Sequence, residues 1–465
     1  MTVWQQFTLS DLPLYQWQGS SYLYRLVGPL SAWRRSSLLM QWGEPIGALL
    51  VSLVFALAPF VPNNQIGVLL SAGAFYWLLL TLSDDGKRGA TPVHLLVLLY
   101  WAISTVATAL SPVKAAAMPG WSKLTLYLLM FALMARVLRS PRLRSWIITV
   151  YLHVTLIVGV YGLRQWFFGA AQLATWVDPS SPLSKTTRVY SYLGNPNLLA
   201  AYLLPAVALS IAAIFVWRSA VAKALAVTML IVNLSCSILT FSRGGWIGLA
   251  LLGLTFLGLA WYWWKDYIPP YWRTWGLLSL LVTMAALLAM GIVFVEPMRD
   301  RILSMFVGRG DSSNNFRINV WQAVDQMIRD RPILGIGPGN TAFNKIYPIY
   351  QISPRYTALS AYSIPREILV ETGFIGFSCF LWLLVVTFNH GWRHLKHLQE
   401  SKNHLAFWLM AAIAGMVGLL GQGLFDTVWY RPEVNTLWWL MVAIVASFYS
   451  SPSLTLPQDT GGNRE

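Results

Sequence analysis

The stretch from 237 to 264, SILTFSRGGWIGLALLGLTFLGLAWYWW, decides the fold. Two apolar segments, 222–241 and 245–264, meet in it, each near the ~20 residues needed to cross the hydrocarbon core of a bilayer. Only Ser242-Arg243-Gly244 separates them, so Arg243 is pinned at or just inside a membrane face. An arginine there costs less than the ~2.5–3.5 kcal/mol it costs at the centre of a span. Ser242 is a good helix N-cap, and Gly244 and Gly245 open the second helix. A fixed cation beside the positive end of a helix is an anion site in outline. The alternative at this point is an arginine that snorkels to lipid phosphates.

Working outward, apolar runs of similar length recur at 46–61, 66–82, 93–110, 121–138, 145–167, 197–217, 275–295, 368–388, 405–424 and 434–450. With the central pair they predict an all-α, polytopic integral membrane protein of about twelve transmembrane helices. The first two runs are short enough to form one re-entrant hairpin instead. Over the 465 residues, 56% are hydrophobic and only 11% charged, too few charges for a soluble surface. Trp261-Tyr262-Trp263-Trp264 suits an aromatic belt at the headgroup level.

The net charge of +15 invites a nucleic-acid reading, but topology explains it better. With the N-terminus cytoplasmic, 17 of the 33 Lys and Arg fall on cytoplasmic segments, among them Arg25, Lys87, Arg88, Arg136, Arg144, Arg393 and Arg464. The short external loops hold few, and nine lie in one long external segment, 297–366, which translocates largely regardless of charge. The expected organisation is a basic cytoplasmic segment 1–45, spans over 46–296, the ordered external loop 297–366, spans over 367–452 and a disordered tail 453–465. A multi-pass cytoplasmic-membrane protein with both termini cytoplasmic follows, with membrane lipid as a partner and no nucleic acid. No internal repeat supports an inverted-repeat transporter.

Cys236 and Cys379 fall inside apolar runs and read as small hydrophobes. His390, His394 and His397 with Glu400 match no established zinc spacing and read as a solvated basic loop, so no metal or cofactor is expected.

The long loop has its own pattern. Phe316, Val320, Val324, Met327 and Ile328 recur at three- and four-residue spacing, which predicts an amphipathic helix starting after Asn314-Asn315 and stopping at Arg331-Pro332. Gly335-Ile336-Gly337-Pro338-Gly339-Asn340 follows without a preceding strand, so a rigid turn is expected rather than a dinucleotide loop. Lys345, Arg355 and Arg366 add charge to the loop.

Together SRGGW around Arg243, SYLGNPNLLAAYL at 191–203, NNFRINVW at 314–321, RPILGIGPGN at 331–340 and EILVETGFIG at 367–376 resemble the O-antigen ligase and polymerase superfamily. LATWVDPSS, FVGRGDSSNNFRINVW and GLFDTVWYRPE are similar to one branch of it, cyanobacterial inorganic-carbon (bicarbonate) transport proteins. The superfamily resemblance implies a metal-independent transfer of a glycan from undecaprenyl diphosphate to an acceptor hydroxyl, with arginines on the diphosphate and a loop histidine activating the acceptor. Arg243 and Arg317 match the arginines. Tyr362 stands at the histidine position, and Glu367 and Asp426 are the substitute bases, while Glu371 is expected to begin or cap a helix. The branch resemblance implies a bicarbonate site, with Arg243, Ser242, Gly244 and Gly245 holding the anion, Arg164 adding charge and Asn195 and Asn197 orienting it. Transport of bicarbonate, glycan transfer and non-catalytic glycolipid binding all remain open at this stage.

Overall fold

The structure, a computed structural model, describes residues 2–10, 28–84, 90–171, 187–294 and 296–448. Arg25, Lys87, Arg88, Arg464, the LATWVDPSS stretch and the tail lie outside them. The described chain is helical, with no strand among the described residues. After short helices at Val3–Phe7, Ser31–Ser36 and Leu38–Gln41 among the described residues come α1 Gly43–Leu57, α2 Asn63–Leu82, α3 Pro92–Ala109, α4 Lys114–Val137, α5 Pro141–Phe168, α6 Pro196–Val216, α7 Ala220–Leu239, α8 Arg243–Trp264 and α9 Pro270–Phe294. The long loop contributes α10 Glu296–Leu303, α11 Ser312–Asp330 and α12 Asn340–Ile346. The bundle closes with α13 Ile364–Glu400, α14 Ala406–Gly423 and α15 Pro432–Ser447.

Each of the twelve apolar runs lies on its own helix, and α1 and α2 are separate. Eight helices, α2, α3, α5, α6, α7, α8, α13 and α14, are long and apolar enough to cross a membrane among the described residues. Of the others, α1 and α15 have 15 and 16 residues, and α4 carries Lys114, Lys123 and Arg136.

Burial sorts the helices. In α6 and α14, 78% and 89% of the spanning window is inside the protein, against 28–50% for the other six. A helix apolar all round belongs in the centre, and one with a polar or lipid face does not. Around this pair, α8 packs closely on α14 through glycines. A Cβ on Gly248 would sit 2.7 Å from the Gly418 carbonyl oxygen, so only glycine lets the backbones come this close. The packing is antiparallel, with Gly244 against Gln422 and Gly248 against Gly418. It sets Arg243, at the start of α8, beside the residues that follow α14.

The long loop has a second apolar cluster, in which Val320, Val324, Met327, Phe343 and Tyr347 are fully or almost fully buried. Helix α11 starts at Ser312, ahead of the expected Asn314-Asn315, because the Asp311 side chain accepts from the Asn314 amide and caps it.

Two expectations are corrected. Helix α13 does not give way to a basic loop after 388 but runs on to Glu400. No glycine or proline interrupts 392–400, and Leu395 is fully buried on its inner face. Glu371 neither begins nor caps a helix. It lies inside α13, one turn after Glu367 and two residues before a break at Gly373, whose φ of 65° is left-handed. The glycine turn docks on that break: the Ile336 and Gly337 amides donate to the Val370 and Glu371 carbonyls, and the Gly339 amide donates to Glu371 Oε1 at 2.6 Å.

Candidate functional site

The ends of α6, α8 and α14 and the start of α11 enclose a cavity of about 780 Å³, joined to a lobe of about 310 Å³. Asn197, Arg301, Arg317 and Asp426 line both. Arg188 and the exposed Arg355 line the larger chamber and Arg243 the smaller, so five arginines line one space and four of them, all but Arg355, are buried or half-buried.

Three of the four are fixed around the turn that joins α7 to α8. Arg188 Nε donates to the Thr240 carbonyl and Arg301 Nε to the Phe241 carbonyl, each at 2.9 Å. These are the orphan carbonyls at the end of α7, the negative pole of that helix, which favours a cation. Arg243 Nη1 donates to the Ser304 carbonyl at 3.2 Å and Nη2 to Asp311 Oδ1 at 3.1 Å. Asp311 thus caps α11 and clamps Arg243 at once. The helix break lies at 240–242, slightly ahead of the expected Ser242-Arg243-Gly244, and Arg243 is the first residue of α8. Ser242 Oγ accepts from the Gly245 amide at 3.2 Å. That satisfies the Gly245 N–H internally, and Gly245 itself packs against Ala200. Gly244 lines the smaller lobe.

Arg317 comes from α11. Its Nη1 donates to Ser313 Oγ at 2.9 Å, its Nη2 lies 3.8 Å from Asp426 Oδ2, and its buried Nε has no hydrogen-bond partner. Among the described residues two carboxylates, Asp311 and Asp426, therefore face these four guanidiniums and Arg355, and positive charge is left over. Burial first, then Arg317 and Arg243, depress Arg188 to about 10. Burial first, then Arg188 and Arg243, push Arg301 down to about 8. A guanidinium keeps its proton at physiological pH. The share of the depression that comes from neighbouring arginines is mutual repulsion, which an added anion relieves.

Asn195 caps α6, its Oδ1 accepting from the Asn197 and Leu198 amides, and Asn197 Oδ1 accepts from Arg188 Nη2 at 3.2 Å. Both asparagines line the larger chamber. Arg164 does not join them. It is exposed on α5, its guanidinium 5.8 Å from the Tyr161 ring centre. Arg366 pairs with Asp325 at 3.0 Å and lies over Trp321, so it braces α11.

The candidate bases separate. Asp426 lies in the arginine cavity, and burial raises its carboxyl while Arg317 opposes the rise. Tyr362 reaches the same cavity, edge-on to Phe316, with a left-handed φ of 50°. A bulky residue held at positive φ stores of order 1–3 kcal/mol, which the surroundings must enforce. Burial and then Asp426 push its phenol up to about 12, so it holds its proton at neutral pH. Glu367 lies outside the cavity. Its Oε2 accepts from the Ala361 amide at 2.6 Å and the Thr427 hydroxyl at 3.4 Å. Among the described residues no group of three or more His, Cys, Asp or Glu is placed to hold a metal ion.

Arg188 and Arg301 escaped the sequence reading. Arg301 was one of nine basic residues in the long loop, and only its hydrogen bond to the α7–α8 turn sets it apart.

Residues 228–381 match a family model described as O-Antigen ligase. The matched segment runs from α7 into α13 and carries Arg243, Arg301, Arg317 and Tyr362. Arg188 and Asp426, the other walls of the cavity, fall outside it. No curated protein matches the chain. The protein is thus a multi-pass helical membrane protein similar to O-antigen ligases over that segment.

Proposed function

We propose that the arginine cavity binds the diphosphate of a polyprenyl-linked glycan at the outer face of the cytoplasmic membrane, and that the protein transfers the glycan without a metal. The observation that carries this is the convergence of Arg188, Arg243, Arg301 and Arg317 on one space with, among the described residues, only Asp311 and Asp426 against them. A diphosphate brings two phosphates and several negative charges, which suits an excess of guanidiniums offering planar forks. Apolar Ile247, Met305 and Phe425 line the smaller lobe beside Arg243 and suit the first units of a lipid chain.

In this reading the acceptor hydroxyl gives its proton to Asp426 as its oxygen bonds to the anomeric carbon. The bond from that carbon to the diphosphate breaks, and the arginines hold the departing charge. Tyr362 orients and does not take the proton. Bicarbonate, the ligand of the transport branch, is the competing occupant. It needs neither four arginines nor a chamber of about 780 Å³.

The test is deletion of the gene in its source cell, with the surface-glycan ladder and bicarbonate uptake measured together. The expected result is a lost or shortened ladder with normal uptake. An unchanged ladder with impaired uptake overturns the proposal in favour of transport.

A further inference from the structure

A second cavity, of about 260 Å³, lies beside the arginine cavity, and Thr427 and Tyr430 belong to the walls of both. Its other walls come from the start of α2, from α3, α4, α13 and α15 with the segment before it, and from the glycine turn and the start of α12, a part of the molecule that the diphosphate reading leaves unused. Tyr100, Tyr127, Phe380, Trp429 and Trp439 supply aromatic faces. Glu367 and Glu371, one turn apart on α13, supply carboxylates. Each gives one oxygen to a backbone amide at 2.6 Å, Glu367 to Ala361 and Glu371 to Gly339. Lys123 and Arg431 also line the cavity, yet neither glutamate forms an ion pair among the described residues, so the walls offer both acceptors and donors to a polyhydroxyl ligand. The glycine turn thus builds the site: its docking on the α13 break fixes Glu371 at the wall, and Asn340 and Thr341 complete the edge.

Carboxylates held rigidly by one oxygen have further lone pairs for donors. Aromatic faces cover apolar surface, such as the C–H face of a pyranose ring. A ligand with one apolar face and a rim of hydroxyl donors satisfies both demands. We propose that this cavity is a saccharide subsite that receives the acceptor sugar and presents its hydroxyl across the Thr427–Tyr430 partition to the arginine cavity. The acceptor role rests on the reading of the arginine cavity as the donor site. The geometry of the partition suits it, because Thr427 ties the two sides together: its hydroxyl donates to Glu367 and accepts from the Ser363 amide, next to Tyr362.

The experiment uses the full chain in lipid nanodiscs. Saturation-transfer NMR follows methyl β-D-glucopyranoside and methyl N-acetyl-β-D-glucosaminide, and ³¹P line broadening follows inorganic pyrophosphate at the arginine cavity. Glu371→Gln tests the carboxylate. Thr341→Trp fills the edge of the cavity from an exposed position, so a folding defect in the first variant leaves the test intact. The expected result is saturation of at least one glycoside, with binding weakened about tenfold by Glu371→Gln, the scale of one lost hydrogen bond, and abolished by the filled edge in Thr341→Trp. Pyrophosphate broadening stays as in the unaltered protein. Absent saturation in a protein that broadens pyrophosphate overturns the subsite, as does saturation that survives both variants. Glycoside binding without pyrophosphate binding keeps the saccharide site and refutes its acceptor role.

Discussion

Replacing Asp426 by Asn separates binding from chemistry because the two respond with opposite signs. Among the described residues the carboxylate is the one acid in the cavity's own wall outside the Arg243–Asp311 clamp, and its nearest guanidinium contact, 3.8 Å to Arg317 Nη2, exceeds hydrogen-bond length. Its repulsion of a phosphate at ~6 Å is ~3 kcal/mol at an effective dielectric of ~20, and an open, wetted cavity cuts that to ~1–2 kcal/mol. Asp426→Asn removes the repulsion and frees Arg317, so a diphosphate binds about 5- to 30-fold more tightly. Transfer falls about 100- to 10,000-fold, the range for a lost general base. Folding stability at neutral pH stays the same or rises slightly, since burial of the ionised carboxyl outweighs its attraction to Arg317, and Arg317 keeps its bond to Ser313. The pH dependence has a definite sign. Burial raises the folded pKa of Asp426, so the base is lost on acidification above the ordinary aspartate value near ~4. By linkage, the stability tied to this raised pKa is fully present below ~4 and is lost as pH rises through the folded value. The assays are diphosphate titration of the purified protein and transfer rate against pH. A variant that loses affinity and rate together refutes the reasoning, because Asp426 would then position the ligand.

Three further outcomes follow. Arg243→Lys and Arg317→Lys keep the charge but lose the fork, and each weakens diphosphate binding about 10- to 100-fold by calorimetric titration. Gly373→Ala strains a left-handed backbone and drives a Cβ into the Ile333 carbonyl; it costs about 2–4 kcal/mol in reversible unfolding and loosens the glycine turn. A cysteine at Asp311 reacts with a membrane-impermeant thiol reagent added outside and one at Gln399 does not; the reverse pattern places the arginine cavity on the wrong side of the membrane.

The fold was legible because lipid imposes a simple rule, and each apolar run of spanning length became a helix. The Ser242 cap and the α11 periodicity were legible for the same local reasons. The site was only half legible. Arg243 and Arg317 stood out through motifs, whereas Arg188 and Arg301 join them through contacts to Thr240 and Phe241, far away in sequence. Asp311 looked like a loop acid until its two bonds were seen. Arg164 sits in a helix beside a tyrosine, and nothing in its spacing told that it faces away from the cavity. Glu371 followed a helix-start pattern, yet tertiary docking of the glycine turn gave it another task. The histidine run looked polar enough for a loop because its buried face is one leucine wide.

The most direct test of the central claim is equilibrium binding of farnesyl diphosphate, farnesyl monophosphate and bicarbonate to the protein in nanodiscs, with Arg301→Gln alongside. The account predicts that the diphosphate binds tightest, that added salt weakens it, and that Arg301→Gln lowers its affinity at least about tenfold. Equal binding of monophosphate and diphosphate, displacement by millimolar bicarbonate, or an indifferent Arg301→Gln would contradict it.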